Sequence, residues 1–198
     1  HLRARSGHVL VALGANAGFA GPSNRGEAAL AAGIPYVAFV NNDCVLAPGY
    51  LAACAAALDA DPGLAAVQGV ILTEDGARVD GCGITWNVRG EAVPVRHGEP
   101  PPSESEAPFG VPGVSGTAPV FRRSVFREAG VFEESFFAYY EDVDLSLRLL
   151  RAGHRFACVP TARAFHKGSA TGRRRPEARW QRLLGNRART LRRNLVSA

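Results

Sequence analysis

The sequence predicts an α/β domain with a largely parallel sheet, and three observations support this prediction. The chain has 198 residues, of which 46% are hydrophobic, so it can form one domain with a real core but not two. Short apolar runs of the kind found in buried strands alternate with helical patterns. No run of 18 apolar residues occurs, so the sequence predicts no membrane-spanning helix.

The amino-terminal half alternates strand and helix patterns, separated by glycine-rich or polar turns. Strands are predicted at residues 8–13, 36–40 and 65–72. A glycine-rich turn is predicted at 14–23, and helices are predicted at 24–32 and 48–60.

The carboxyl-terminal half begins with a long segment, residues 73–112, that is rich in glycine, proline and charge. This segment predicts a loop with one short strand at 84–86. Further strands are predicted at 117–122, 156–159 and 164–166, with a short helix at 124–130. Another helix begins at the acidic residues 141–144 and ends at Gly153.

Three carboxylates, Glu141, Asp142 and Asp144, stand directly behind the aromatic run FFAYY at 136–140. Acidic residues in the first turn of a helix are stabilised by the helix dipole by about 0.3–1 kcal/mol each, which explains one or two of them without any function. The aromatic side chains also lower the local dielectric and would raise the pKa of a carboxylate, as a general base requires. The pattern leaves a structural and a catalytic interpretation open.

Other polar residues follow predicted strands, where parallel sheets carry their sites. Asn41 and Asp43 follow the strand at 36–40 and offer the oxygen ligands that Mg²⁺ or Mn²⁺ binds. The loop at 16–21 leads into a helix, so its backbone N–H groups can face a phosphate or ribose, although its glycine spacing matches neither the dinucleotide fingerprint nor the P-loop. His166 follows the last strand. Each of these features also has an ordinary structural explanation.

The four cysteines, Cys44, Cys54, Cys82 and Cys158, lie far apart, with no CxxC pair and no clustering with histidine. This pattern predicts free thiols in a reducing cytosol rather than a disulfide framework or a zinc site. We therefore expect a cytoplasmic protein, either free or peripheral at the inner face of the plasma membrane.

The segment 173–198 is predicted to form a basic amphipathic helix after a domain at 1–172. Residues 167–198 carry ten basic residues and one acid, whereas the rest of the chain has a net charge of about −4. The predicted apolar face consists of Trp180, Leu183, Leu184, Ala188, Leu191 and Leu195. Packing on the domain and contact with an anionic membrane surface remain open. Nucleic-acid binding is less expected, because no nucleic-acid-binding module accompanies the charge.

Four segments, in this order, resemble the family 2 glycosyltransferases, in particular the rhamnosyltransferase-like bacterial members that extend cell-surface polysaccharides. They are NAGFAGPSNRG at 16–26, YVAFVNNDCVL at 36–46, GVSGTAPVFRRSVFREAGVFEESFFAYYEDVDLSLRLLRAGHRF at 113–156 and FHKGSATG at 165–172. The resemblance covers about residues 10–194. It implies the GT-A fold, a three-layer sandwich with a mostly parallel mixed sheet, and a nucleotide-sugar donor used with Mg²⁺ or Mn²⁺.

The resemblance also implies roles for individual residues. Asp142 would be the general base of an inverting sugar transfer. Asp43 would be the metal-binding acid of a DxD-type motif in which Asn41 stands for the first acid, and His166 would complete the metal or diphosphate site. The remaining implied positions would bind substrate or the nucleotide-sugar: Asn16, Gly18, Phe19, Asn24, Asn41, Gly116, Thr117 and Glu141.

One part of the family pattern is absent. Family members open with a strand and a helix ahead of the strand that matches residues 8–13, and this sequence does not contain that opening unit. We therefore expect a fragment with exposed strand edges, low stability and little activity by itself. The expected function of the intact protein is sugar transfer to a hydroxyl of a glycan or lipid-linked acceptor. An inactive fragment or a non-catalytic carbohydrate-binding domain of the same fold is the alternative. A nucleotidyltransferase is less expected, because the sequence lacks a glycine-rich triphosphate signature.

Overall fold

The computed structural model describes residues 9–168 and 176–195, which form nine strands, five α-helices and one turn of 3₁₀ helix. The amino-terminal half contains α1 (Ala20–Ala28), β1 (Tyr36–Ala38), β2 (Cys44–Leu46), α2 (Tyr50–Ala60), β3 (Leu64–Thr73), β4 (Val79–Gly81), β5 (Ile84–Trp86) and β6 (Ala92–Pro94). The other half contains β7 (Phe109–Val111), β8 (Pro119–Arg122), α3 (Arg123–Glu128), the 3₁₀ turn (Glu134–Phe136), α4 (Glu141–Arg151), β9 (Arg155–His166) and α5 (Pro176–Leu195).

Seven strands form one mixed sheet in the order β1-β8-β3-β9-β2, with β4 paired to β3 and β7 paired to β9. Only β3 and β9 pair in parallel among the described strands; the other pairs are antiparallel. The sheet is therefore mixed, as predicted, but the expectation that parallel pairs predominate was wrong. Antiparallel β8 returns from the long excursion at 73–112 and lies between β1 and β3. An alternation of strands and helices does not determine the direction of a strand that returns in this way.

Helices cover the two faces of the sheet, which gives the three layers that were predicted. On one face, α2 packs Tyr50, Cys54 and Leu58 against β3, β8 and β9. On the other face, α1, α3 and α4 pack around four phenylalanine rings whose centroids lie 5.0–6.2 Å apart: Phe39, Phe121, Phe126 and Phe132. Because both faces of β3 are covered, nine of its ten residues are buried, as its continuous apolar sequence requires.

Two predicted elements differ from the structure. Residues 9–13 form no strand, and Val9 and Leu10 are 76% and 66% exposed, because no strand in the described part of the chain lies beside them to accept their hydrogen bonds. His8 lies outside the described residues. Helix α1 begins at Ala20, four residues before the predicted start. Pro22 is the third helical residue, where a missing N–H breaks no intrahelical bond.

The remaining predicted elements lie close to their observed positions, whereas β2 was not predicted. The segment 73–112 contains four strands rather than one, and the strand predicted at 84–86 is β5. The strands predicted at 156–159 and 164–166 are parts of one continuous strand, β9. All four cysteines are free thiols, as predicted.

The last described element, α5, packs against α4. Across residues 9–168 and 176–195, none of the helices is both long and apolar enough to cross a membrane. The predicted boundary between a domain at 1–172 and a helical segment at 173–198 falls outside the described residues.

Candidate active site

The turn that leads into α4, residues 136–140, has a strained backbone. Phe137, Tyr139 and Tyr140 have φ angles of 63°, 70° and 71°, a region that side chains other than glycine avoid. Phe137 is the centre of a γ-turn closed by a 2.7 Å hydrogen bond from the Ala138 N–H to the Phe136 carbonyl. Such conformations cost on the order of 1–3 kcal/mol each. The surrounding contacts must therefore hold this turn in place.

Asp142, the predicted base, is the second residue of α4 and is fixed by backbone donors. Its Oδ2 accepts a hydrogen bond of 2.7 Å from the Gly116 N–H, and its Oδ1 accepts one of 2.8 Å from the Val143 N–H. Burial raises the pKa of Asp142, although the two donors act in the opposite direction. A raised pKa makes this carboxylate a better proton acceptor near neutral pH.

The other two acids of this helix are buried but differ in their contacts. Glu141 is 5% exposed, and its Oε2 has no hydrogen-bond partner among the described residues. Burial, together with the neighbouring Asp142, raises the pKa of Glu141 to about 8. Asp144 is fully buried and accepts hydrogen bonds of 2.9 Å from both Arg148 and Asn194. Asp144 therefore has a structural role.

The loop at residues 16–20 docks on the strained turn. The Phe137 carbonyl accepts hydrogen bonds from the N–H groups of Phe19, at 2.6 Å, and Ala20, at 3.4 Å. Gly18 has a φ of 77°, and its N–H donates to Asn16 Oδ1 at 3.0 Å. A Cβ atom at Gly18 would overlap the Phe137 carbonyl. Glycine is therefore required where the loop meets the turn.

Gly116 lies between the loop and the predicted base. A Cβ atom at this position would lie 3.3 Å from the Phe19 ring and 3.6 Å from Asp142 Oδ2. The structure thus brings three predicted site residues, Phe19, Gly116 and Asp142, into one neighbourhood.

The side chain of Asn24 forms hydrogen bonds with residues 132–134 instead. Its Nδ2 donates to the Phe132 carbonyl at 2.8 Å and to Glu134 Oε1 at 3.3 Å, and its Oδ1 accepts from the Phe132 N–H at 3.1 Å. These bonds clamp α1 to residues 132–134 and give Asn24 a structural role. Its role at the nucleotide-sugar stays a prediction.

The predicted metal ligands meet where β2 pairs with β9, because Cys44 lies opposite His166 in that pair. His166 Nε2 lies 3.3 Å from Asp43 Oδ1, and His166 Nδ1 lies 2.8 Å from Asp80 Oδ2. The hydrogen bond with Asp80 raises the pKa of His166. Asp80, on β4, was not among the predicted site residues, because its sequence surroundings give no sign that β4 lies beside His166.

The segment 115–117 connects the two groups of acids. Its Thr117 carbonyl accepts a 2.9 Å hydrogen bond from the Asn41 N–H, two residues from Asp43, while its Gly116 N–H contacts Asp142. Ser115 and Thr117 line a cavity of about 100 Å³ together with Asp80. A larger cavity of about 530 Å³, between α2, β7 and α4, contains none of the predicted site residues.

Comparison with known proteins places this geometry in a family. Residues 36–197 match the family described as Glycosyl transferase family group 2. The chain belongs to this family.

Two curated relatives are N-acetylglucosaminyl-diphospho-decaprenol L-rhamnosyltransferases of Mycobacterium tuberculosis, from strains CDC 1551 / Oshkosh and ATCC 25618 / H37Rv. Each is 46% identical to this chain over 70 residues, which are 35% of this chain and 22% of the relative. The fold is similar to that of GalNAc-T7, crystallised with UDP, GalNAc and Mn²⁺, with a TM-score of 0.59 and 18% identity. That match covers 75% of this chain and 30% of the other chain, and it confirms the predicted GT-A fold.

The pair Asp43 and His166 fits a divalent cation. Asp43 Oδ1 and His166 Nε2 are 3.3 Å apart, and both are atoms that bind Mn²⁺. Asp80 hydrogen-bonds the other ring nitrogen of His166, as carboxylates that orient metal-binding histidines do in many proteins. The described residues contain no group of three or more His, Cys, Asp or Glu side chains that could hold a metal. Two protein ligands suit a cation that a bound diphosphate also coordinates.

Helix α5 buries a face that only partly overlaps the predicted apolar face, since Leu183 and Leu191 are half-buried. Trp180 and Leu184 are 62% and 60% exposed, while Asn186, Thr190 and Asn194 are buried. The surface that α5 covers presents backbone carbonyls and Asp144, so it requires hydrogen-bond donors rather than apolar side chains. The sequence does contain the signal, because these three polar residues recur every four positions. The side chain of Leu195 lies outside the described residues.

Proposed function

We propose that this chain is the catalytic GT-A unit of an inverting glycosyltransferase, with Asp142 as the general base and a divalent cation at Asp43. The donor is a nucleotide-sugar, and the acceptor is a hydroxyl of a glycan or a lipid-linked saccharide. The observation that carries the proposal is the segment 115–117, which touches Asp142 on one side and the turn of Asp43 on the other.

The chemistry follows from the charges that develop. An acceptor hydroxyl has a pKa far above 7 and must lose its proton as its oxygen attacks the anomeric carbon. Asp142 takes that proton, for which its raised pKa suits it, and the sugar leaves the diphosphate with inversion. Gly116 and Val143 keep the carboxylate in one orientation through their N–H groups. A divalent cation held by Asp43 and His166 would neutralise charge on the departing diphosphate.

The relatives support the substrate classes. The mycobacterial relatives are named for transfer of L-rhamnose to N-acetylglucosaminyl-diphospho-decaprenol, which is a lipid-linked acceptor. The fold relative was crystallised with a nucleoside diphosphate and Mn²⁺. We therefore propose Mn²⁺ or Mg²⁺ as the cation, and a role in the synthesis of cell-surface polysaccharide.

The decisive test is Asp142→Asn in the full-length gene product. Wild type and variant are incubated with a panel of UDP- and dTDP-sugars and Mn²⁺, and release of nucleoside diphosphate is followed. We expect the variant to lose about 10²–10⁴-fold in kcat, since the amide keeps the shape but cannot accept the proton. Mn²⁺ affinity should be unchanged. Glu128→Gln, an exposed helical carboxylate, is the matched control and should turn over like wild type. Wild-type turnover by Asp142→Asn would reject the assignment.

We also propose peripheral contact with an anionic membrane through the exposed side of α5. Trp180 and Leu184 are exposed one turn apart, and the exposed Arg192 follows two turns after Leu184. The double variant Trp180→Ser/Leu184→Ser should float less with vesicles that contain phosphatidylserine. The control Leu51→Ser changes an exposed leucine on α2 and should float like wild type. Equal flotation of all three proteins would exclude α5 as the contact.

A further inference from the structure

The strained turn at 136–140 is held by contacts with α5, a helix that begins 36 residues later in the chain. Asn186 is 6% exposed, and its Nδ2 donates to three carbonyls of the turn: those of Phe136 at 3.0 Å, Ala138 at 3.0 Å and Tyr139 at 2.8 Å. Because all three partners are acceptors, only the amide nitrogen can face them. One side chain thus ties together the residues on both sides of the γ-turn.

Two arginines on the same face of α5 reinforce this contact. The guanidinium of Arg182 lies over the Phe137 ring, 4.2 Å from its centroid. Arg189 lies over the Phe136 ring at 5.5 Å and also donates to the Ser135 carbonyl. These residues stand four and three positions from Asn186, so they share one face of the helix. This face of α5 therefore contacts each residue from Ser135 to Tyr139.

The turn has two further connections, one to α4 and one to the loop at residues 16–20. Tyr140 leads directly into α4, and its carbonyl accepts the first hydrogen bond of that helix, 2.9 Å from the Asp144 N–H. The Phe137 carbonyl holds the N–H of Phe19, whose ring lies against Gly116. A change in the backbone at 136–140 would therefore move the start of α4, and the carboxylate of Asp142 with it.

We propose that Asn186 is a positioning residue for Asp142: its amide holds the strained turn that places the base, and α5 is thereby part of the catalytic unit. This inference rests on the proposed function, since it takes Asp142 as the base. Asp43, Asp80 and His166 lie outside this connection, because their described contacts include no residue of the turn.

The test uses the isosteric variant Asn186→Asp, which keeps the volume but presents oxygen where the carbonyls need a donor. We expect kcat to fall by roughly 10–100-fold, as for a misplacement of about 1 Å, while the dissociation constant for Mn²⁺ stays at the wild-type value. Hydrogen exchange at 136–140 should become faster. Asn186→Ala should act in the same direction. Asn194→Ala is the control, because Asn194 is equally buried on the same helix but donates to Asp144 and Thr190.

The outcomes separate this inference from the proposed function. If Asp142→Asn is inactive while both Asn186 variants keep wild-type kcat, the positioning role is overturned and the base stands. If Asn194→Ala lowers kcat as much as Asn186→Asp does, the effect is general loss of packing and the positioning role is again overturned. If Asp142→Asn keeps wild-type kcat, the proposed base fails and the inference falls with it. Loss of kcat and faster exchange confined to the Asn186 variants support the inference.

Discussion

The two sides of the site are built in different ways. We call residues 16–20, the turn at 136–140 and the start of α4 the base side, and Asp43, Asp80 and His166 the metal side. On the base side, backbone N–H groups hold the Asp142 carboxylate, and a helix distant in sequence contacts the strained turn that precedes it. On the metal side, the side chains of Asp43 and Asp80 each contact His166, and all three remain 12–33% exposed.

Under the proposed function, this difference indicates what each side would contribute. A base must be placed accurately before the acceptor arrives, which requires a rigid support of the kind that the turn and α5 provide. Ligands of a cation that the donor also coordinates need only be close and correctly oriented, since binding completes the geometry. We therefore expect substitutions on the base side to change stability and turnover, and those on the metal side to change metal affinity.

The largest effect should come from Gly18→Ala, which breaks the junction between the loop and the turn. The new methyl group would overlap the Phe137 carbonyl, and the φ of 77° is itself unfavourable for alanine. Strain and overpacking together should lower the free energy of unfolding by about 2–5 kcal/mol, measured by denaturant titration.

Gly14→Ala is the matched control for this prediction. Gly14 has a φ of 71°, similar to that of Gly18, but nothing lies within 4 Å of its Cβ position. Its substitution should cost only the backbone strain of about 1 kcal/mol. Equal losses in the two variants would show that the close approach to Phe137 does not matter.

A second effect follows from the buried Glu141, whose pKa of about 8 lies well above its ordinary value of 4.5. A raised pKa means that the folded state binds a proton more tightly than the unfolded chain. The contribution to stability is therefore present below pH 4.5 and is lost as the pH rises through 8. Glu141→Gln should remove this dependence, which has a slope of at most about 1.4 kcal/mol per pH unit.

The measurement is the free energy of unfolding of wild type and Glu141→Gln between pH 5 and 9. His166 titrates in both proteins with the same sign, so its contribution cancels in the difference. Asp142→Asn is the comparison variant, because Asp142 also has a raised pKa and interacts with Glu141. Parallel curves for wild type and Glu141→Gln would mean that Glu141 is not the buried acid that titrates.

Local patterns in the sequence predicted much of the fold. The apolar run of β3 and the acidic start of α4 both lie within a residue of their predicted positions, because burial on both faces and helix-start chemistry leave local signatures. Strand direction was predicted wrongly, since the antiparallel insertion of β8 depends on contacts distant in sequence. The strand expected at 8–13 failed for a related reason, because an apolar run becomes a strand only beside a partner.

The same limit applies to the site. Asp142, Asp43 and His166 stand in motifs, so the resemblance could point to them, and their roles remain predictions. Asp80 and Asn186 were missed because neither stands in a recognisable motif. Asp80 contacts His166, which is 86 positions away, and Asn186 contacts Phe136, which is 50 positions away. Residues that position a site residue are therefore harder to predict from sequence than the site residue itself.

The smallest effect should come from Asp80→Asn, which acts on the metal side through His166. The amide can still accept a hydrogen bond from Nδ1–H, but it lacks the charge that makes the imidazole a stronger ligand. Mn²⁺ affinity should fall about 10–100-fold, or about 1.4–2.8 kcal/mol, with kcat at saturating Mn²⁺ near wild type. Free Mn²⁺ in equilibrium titrations, followed by electron paramagnetic resonance, gives the affinity without any turnover. Glu74→Gln is the control, since Glu74 is an exposed acid paired with Lys167, next to His166 in the chain. If both variants lower Mn²⁺ affinity equally, Asp80 acts only as a nearby charge. The metal side would then not depend on the orientation of His166, and the comparison with the base side would hold for the base side alone.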